Sequence, residues 1–232
     1  MKELILKEID NKFKTYKVEN KEEFIKIVEP IISHEEFQKR FDNKQYPHHG
    51  NTSLGQHIIS DAIMTYKLAQ KKKCNVKLAT LTAMFHDLYE LPWQNSGRKE
   101  SRFTNKHGFT HPLEATINAI TWFPEYFDED NYKVLIEGIL HHMYPFPVRA
   151  LNNIDAELNN KHKLETIDDL LKEYIIKSSN RKRIGTISFS RSKYKEGRLV
   201  SLADKLITLR SDKLSPNACI ALVTGRNKDL EK

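Results

Sequence analysis

Four side chains, His57, His86, Asp87 and Asp204, are of the types that together can grip one divalent metal ion, and they occur in the chain order H…HD…D. Three further imidazoles, His111, His141 and His142, fall between the adjacent pair and the last aspartate, where a second ion would need nitrogen donors. Imidazole and carboxylate without thiolate suit Fe, Mn, Ni, Co or Zn, and the ligand set does not choose among them. The chemistry open to such a centre is activation of water, because a bound divalent ion lowers the pKa of water towards neutrality. One or two ions fit the donor count.

The elements that must position these groups read as helices almost throughout, which makes the expected class all-α. Apolar residues recur at helical spacing from Glu22 to Phe41, with a break expected at Pro30. The turn-like stretch YPHHGNTSLG leads into a helix from about Leu54 to Gln70, with Ser53 or Thr52 able to cap it. A second helix spans Lys77 to Leu91 and stops at Pro92, so that His86-Asp87 is expected on a helix. Thr110-His111-Pro112 reads as a cap followed by proline at the first helical position, and that helix runs to about Phe123. Asp128 or Asp130 opens another through Met143, and Glu196 to Ser211 closes as a strong helix. Between these last two, a helix is expected over Ile167 to Ile176, and Thr186 to Ser190 is the one strand-like run.

Helical projection shows which donors face inward. His86 shares its stripe with Ala79, Thr82 and Ala83, small residues that leave room, while Leu78, Leu81, Phe85 and Leu88 bury the other side. Adjacent helical residues differ by about 100 degrees around the axis, so one ion can meet both His86 and Asp87 only over the gap between them, above Ala83. His57 stacks with Asp61, Met64 and Leu68, and Asp61 is placed to receive the ring nitrogen that does not meet the metal. His142 edges an apolar face with Gly138 one turn behind, a space for an ion or a substrate oxygen, whereas His141 points further from that face, beside Glu137. Asp204 lies among Val200, Ser201, Ile207 and Thr208, where a buried carboxylate calls for a cation or donors.

Each of these residues also has a plainer reading. A histidine on an apolar face is commonly a satisfied core residue, Asp204 could pair with a Lys or Arg, and Glu90 and Asp61 read as helix-surface charges outside the site. His48, His49 and His107 read as solvated loop residues, with His107 four residues before His111. What favours a centre is the coincidence of several inward-facing donors on four or five separate helices. Asp87 is the candidate catalytic residue, and Arg98, Lys106, Arg149 and Lys205 are the cations nearest in sequence to the ligands.

At 232 residues the chain can form one sizeable core, with residues 1–45 a helical extension, 46–232 the main domain and 152–196 an insertion. Charged residues make up 30%, mean hydropathy is −0.62, and no apolar run approaches a membrane span, so neither membrane insertion nor a signal peptide is expected. Two cysteines without CxxC spacing suggest neither a disulfide framework nor a thiolate zinc site and point to the reducing cytoplasm. A net charge of +7 favours phosphates, nucleotides or nucleic acid as partners, and the one concentrated cluster runs from Lys177 to Lys195.

Beyond the donors, the stretches HHGNTSLGQH, AMFHDLYELPW, HGFTHPLEA, ILHHMYP and RLVSLADKL, spread over Tyr46 to Arg210, resemble the HD-domain superfamily of metal-dependent phosphohydrolases, in particular bacterial members with a GFTHP segment. The resemblance implies an HD-domain helical bundle in which His57, His86, Asp87 and Asp204 hold a first ion and Asp87 bridges to a second held by His111, His141 and His142. It implies hydrolysis of a phosphomonoester or phosphodiester of a nucleotide or related small molecule. The chain departs from the HD-GYP cyclic-dinucleotide phosphodiesterases, which carry a lysine where Glu90 stands and a glycine before Tyr144-Pro145 that this chain lacks. Two rival expectations are a non-catalytic protein with a structural metal whose basic insertion contacts nucleic acid, and a di-iron oxygenase on the same scaffold.

Overall fold

The structure, a computed structural model of the chain, describes residues 1–49, 52–90, 107–151 and 164–210. Within them lie nine α-helices: α1 (Lys2–Tyr16), α2 (Lys21–Ser33), α3 (Glu35–Lys39), α4 (Leu54–Lys72), α5 (Val76–Phe85), α6 (His107–Trp122), α7 (Tyr132–Leu140), α8 (Asp169–Ser179) and α9 (Lys195–Arg210). Strands are few and short. β1 (Pro47–His49) and β2 (Thr52–Ser53) pair antiparallel just before α4, and β3 (Val148–Arg149), β4 (Arg183–Ile184) and β5 (Ile187–Ser188) form a sheet in the order β3-β5-β4. The protein is thus mainly helical, with a small three-stranded sheet that joins 148–149 to the 183–188 hairpin. No described helix is long and apolar enough to cross a membrane.

Local chemistry accounts for the central helices. Ser53 caps α4 through a reciprocal box with Gln56, each side chain meeting the other residue's backbone N–H, and Asn75 caps α5 through the Leu78 amide. These two helices lie side by side, α9 packs across both, and α7 packs on α5 and α9. The α7–α9 crossing is close because a Cβ on Gly138 would collide with the Thr82 side chain and sit 3.1 Å from the Gly197 Cα. Gly138 therefore serves a helix crossing, not the ion or substrate space the sequence suggested. Ile5, Ile9, Phe13 and Phe24 from the first two helices enter the same core, where Phe24 meets Tyr66 of α4 edge-on at 5.5 Å.

Several helix boundaries differ from the sequence reading. Pro30 sits inside α2, and the break comes at His34, whose extended backbone and Nδ1 acceptor for the Glu36 amide start α3. α6 begins at His107, so Pro112 lies within the helix instead of opening it. Most consequentially, α5 ends at Phe85 and α7 at Leu140, each a few residues early.

Candidate metal centre

Those early helix ends place both donor dipeptides, His86-Asp87 and His141-His142, just past a helix C-terminus. After Phe85 the chain is held open by side chains from other elements. Asn118 of α6 donates to the Leu88 carbonyl at 2.7 Å, the buried Arg40 donates to the Tyr89 carbonyl at 3.1 Å, and Glu114 accepts from the Glu90 amide at 3.0 Å. These bonds replace the helical ladder, as a buried backbone requires. His86 keeps helical backbone angles, and the turn that follows carries Asp87 Oδ2 to within 3.6 Å of the His86 Nε2.

The imidazoles are aimed by their backbone. Nδ1 of His86 lies 2.7 Å from the Ala83 carbonyl, Nδ1 of His111 2.9 Å from that of His107, and Nδ1 of His142 2.7 Å from that of Ile139. A carbonyl only accepts, so in each ring Nδ1 carries the proton and a neutral ring presents Nε2 as a bare lone pair. All three Nε2 atoms converge on the carboxylates.

Asp87 stands at the centre, with its two oxygens facing different groups. Oδ2 lies 3.6 Å from Nε2 of both His57 and His86, while Oδ1 lies 3.4 Å from Nε2 of His111 and 3.5 Å from that of His142. On the Oδ2 side, Asp61 Oδ2 approaches His86 at 3.1 Å and His57 at 3.4 Å, and Asp204 Oδ1 is 3.6 Å from His57. Donor atoms of His57, Asp61, His86 and Asp204 all lie within 4.8 Å of one another, as do those of His86, Asp87 and His142 and those of His48, His57 and Asp87. The cluster therefore has two lobes joined by one carboxylate.

Electrostatics divide the lobes. Burial would suppress charge on His86, but Asp87, Asp61 and Asp204 outweigh it and push that imidazole up to about 9. Burial likewise opposes the charge on Asp87, yet four surrounding imidazoles hold the carboxyl down at about 2. Asp204 is held well below the usual carboxylate range against its burial by His57, Lys205 and other neighbours. Asp61 is pushed up by burial, and on the other side burial lowers His111 and pushes His142 down to about 3.

Whether these residues fit a metal ion can be tested on their unmet bonds. His111 Nε2 and His142 Nε2 face each other at 3.1 Å, and because both Nδ1 atoms are committed to carbonyls and burial favours the neutral rings, lone pair opposes lone pair. A cation shared between them removes that repulsion. Both oxygens of Asp61, Nε2 of His86 and Oδ1 of Asp87 are buried without a hydrogen bond, a costly condition for polar atoms unless an ion meets them. The cluster can hold a metal ion. Comparison with protein-family models, curated proteins and solved structures finds no match for the chain.

Of the sequence candidates, the structure brings together His57, His86, Asp87, His111, His142 and Asp204. His111 and His141 both lie outside the three donor groups, but His111 approaches Asp87 Oδ1 and His142 Nε2, whereas both ring nitrogens of His141 are buried without a hydrogen bond. At the α7 terminus its ring turns towards Arg181 and Lys193, and burial, with those cations, pushes it down to about 3. Lys205 borders the centre, its ammonium 4.0 Å from Asp204 Oδ2 while it donates to the carbonyls of His142 (3.0 Å) and Ser201 (2.9 Å) and to the Ser201 hydroxyl. It ties α9 to the His142 turn. Arg149 lies on β3 opposite Ile187, and Arg98 and Lys106 fall outside the described residues. Glu90 is exposed, as a surface charge should be.

Three participants escaped the sequence reading. Asp61 faces the Nε2 atoms, the metal side of the rings, and not their backs, so it belongs with the donors; its i,i+4 spacing from His57 was the available signal. His48 is not solvated but buried, its ring 3.9 Å from that of His57 and its Nδ1 3.2 Å from the Tyr89 hydroxyl. Nothing in the His48-His49 dipeptide announced that. His107 stacks on His111 at 4.9 Å and 18°, extending the imidazole array along α6.

Proposed function

We propose that this chain is a metal-dependent phosphohydrolase of the HD-domain type, acting on a phosphomonoester or phosphodiester of a nucleotide or related small molecule. The observation that carries the reading is Asp87, whose two carboxylate oxygens face two separate groups of buried, outwardly unsatisfied donors. His57, Asp61, His86 and Asp204 would hold one ion, and Asp87, His111 and His142 a second. A divalent ion bound there supplies a Lewis acid that makes water acidic near neutral pH and neutralises charge on phosphate oxygens.

The chain's own residues do the rest. Backbone carbonyls fix the three Nδ1 atoms and so keep Nε2 aimed inward without reorganisation, the feature that makes electrostatic catalysis effective. Asp87, anchored in a turn braced by Asn118, Arg40 and Glu114, spans both lobes and orients whatever polar group lies between them. Tyr89 and His48 close one side of the cluster, their hydrogen bond holding the β1 segment against His57.

The test is a panel of phosphomonoesters and phosphodiesters offered to the protein reconstituted separately with Mn, Fe, Co, Ni or Zn. Phosphate or alcohol release that requires the ion and vanishes in Asp87→Ala supports the assignment. A metal-loaded protein that turns over no member of the panel but consumes oxygen would replace it with oxidative chemistry.

A further inference from the structure

Away from the centre, the positive charge of the chain is concentrated in one segment. Residues 177–198 contain eight Lys and Arg against the single acidic Glu196, a net +7 that equals the net charge of all 232 residues. The rest of the chain is therefore neutral in sum, and diffuse lysine does not account for the basic character.

The segment is also patterned. From Ser188 to Lys193 burial alternates with period two: Ser188, Ser190 and Ser192 are buried, while Phe189, Arg191 and Lys193 are exposed, with Lys195 exposed beyond them. The serines explain the alternation. Ser188 and Ser190 both donate their hydroxyls to the Arg181 carbonyl, and the Ser192 hydroxyl accepts from the Tyr194 amide at 3.2 Å. Underneath, Glu137 of α7 fixes the segment by accepting from Arg181 at 2.8 Å and from the Lys193 amide at 3.3 Å. The outward face thus sets the Phe189 ring beside the exposed Arg191, followed by Lys193, whose ammonium comes within 4.0 Å of Glu137, and by Lys195 at the start of α9. Phe189 is 40% exposed and Ile184, at the tip of the β4–β5 hairpin beside Lys182, is 70% exposed.

We propose that this stripe binds single-stranded nucleic acid, with Phe189 stacking on a base and the nearby Arg191 and Lys195 meeting phosphates. An exposed ring set among cations supplies the stacking platform and backbone contacts such sites use. An anionic membrane would accept the charge but gains nothing specific from a half-exposed ring on a backbone tied down by serines. The stripe acts apart from the metal centre: Lys195 is nine residues, about 14 Å along α9, from Asp204. The proposal does not depend on the phosphohydrolase reading.

The experiment measures fluorescence anisotropy of labelled 20-nucleotide oligo-dT and oligo-U, and in parallel sedimentation with phosphatidylcholine–phosphatidylserine vesicles, using the full chain. The expected result is salt-sensitive binding to the oligonucleotides that survives chelation of metal. Arg191→Glu/Lys195→Glu should weaken it at least tenfold and lower the salt slope by about 1.4, the share of two single-strand phosphate contacts. Phe189→Ala should weaken it about tenfold with the slope unchanged. The charge-matched control Lys7→Glu/Lys14→Glu, on the exposed face of α1, should bind as the unaltered chain does. No oligonucleotide binding, equal loss in the α1 control, full binding by the stripe variant, or vesicle binding without oligonucleotide binding would each overturn the proposal.

Discussion

Asp61 and Glu137 are both fully buried carboxylates, yet their surroundings are opposite. Glu137 accepts from the Ser178 hydroxyl, the Arg181 guanidinium and the Lys193 amide, so its charge is met by protein alone. Asp61 has no hydrogen bond to either oxygen and faces Nε2 of His86 at 3.1 Å and of His57 at 3.4 Å. One is a closed tie that fastens the insertion to α7. The other is an open coordination face, and the contrast distinguishes buried charge that builds structure from buried charge kept for a ligand. Glu137 belongs to α7 itself, whose end presents His142 to the open cluster and His141 to the closed one.

Substitutions can break or sharpen that contrast. The largest effect is expected from Asp87→Ala, which should bring metal-dependent phosphate release to background while far-ultraviolet circular dichroism stays helical; undiminished turnover would remove Asp87 from the chemistry. Next, Glu137→Ala strands Arg181 and should cost about 3–5 kcal/mol in denaturant unfolding, with or without metal. Asp61→Asn should do the reverse, leaving metal-free stability intact or raised and abolishing only the increment that metal adds. That increment, read as the loss of stability on chelation, should be about 2.7 kcal/mol when free ion stands at a hundred times its dissociation constant. Equal losses in the Glu137 and Asp61 variants without metal would erase the distinction. Smallest, Lys205→Met should weaken the ion at His111 and His142 by about 10–100-fold by loosening the turn that carries His142, with the other ion retained.

Much of this was legible in the sequence because it follows from spacing. The helical class, the Ser53 cap, the inward faces of His57, His86 and His142 and the poorly solvated Asp204 all come from periodicity along single helices. What periodicity could not show is where a helix stops under the pull of distant side chains. Asn118, Arg40 and Glu114 end the ladder after Phe85, and no local signal in AMFHDLYE marks that point. The same limit hid Asp61, which beyond His57 on its own helix meets His86, just past α5, and misread Gly138, whose small size serves contact with Gly197. His141 and His142 are adjacent in sequence, and only the backbone at the α7 terminus decides which of them meets Asp87.

Elemental analysis of the purified chain beside Asp87→Ala and Asp61→Asn decides whether the two-lobed cluster holds metal. One or two equivalents of a divalent transition metal are expected in the unaltered chain, restored after chelation by adding the ion back, with a reduced content in both variants. A correctly folded chain that carries no metal and takes up none of Mn, Fe, Co, Ni or Zn would contradict that expectation.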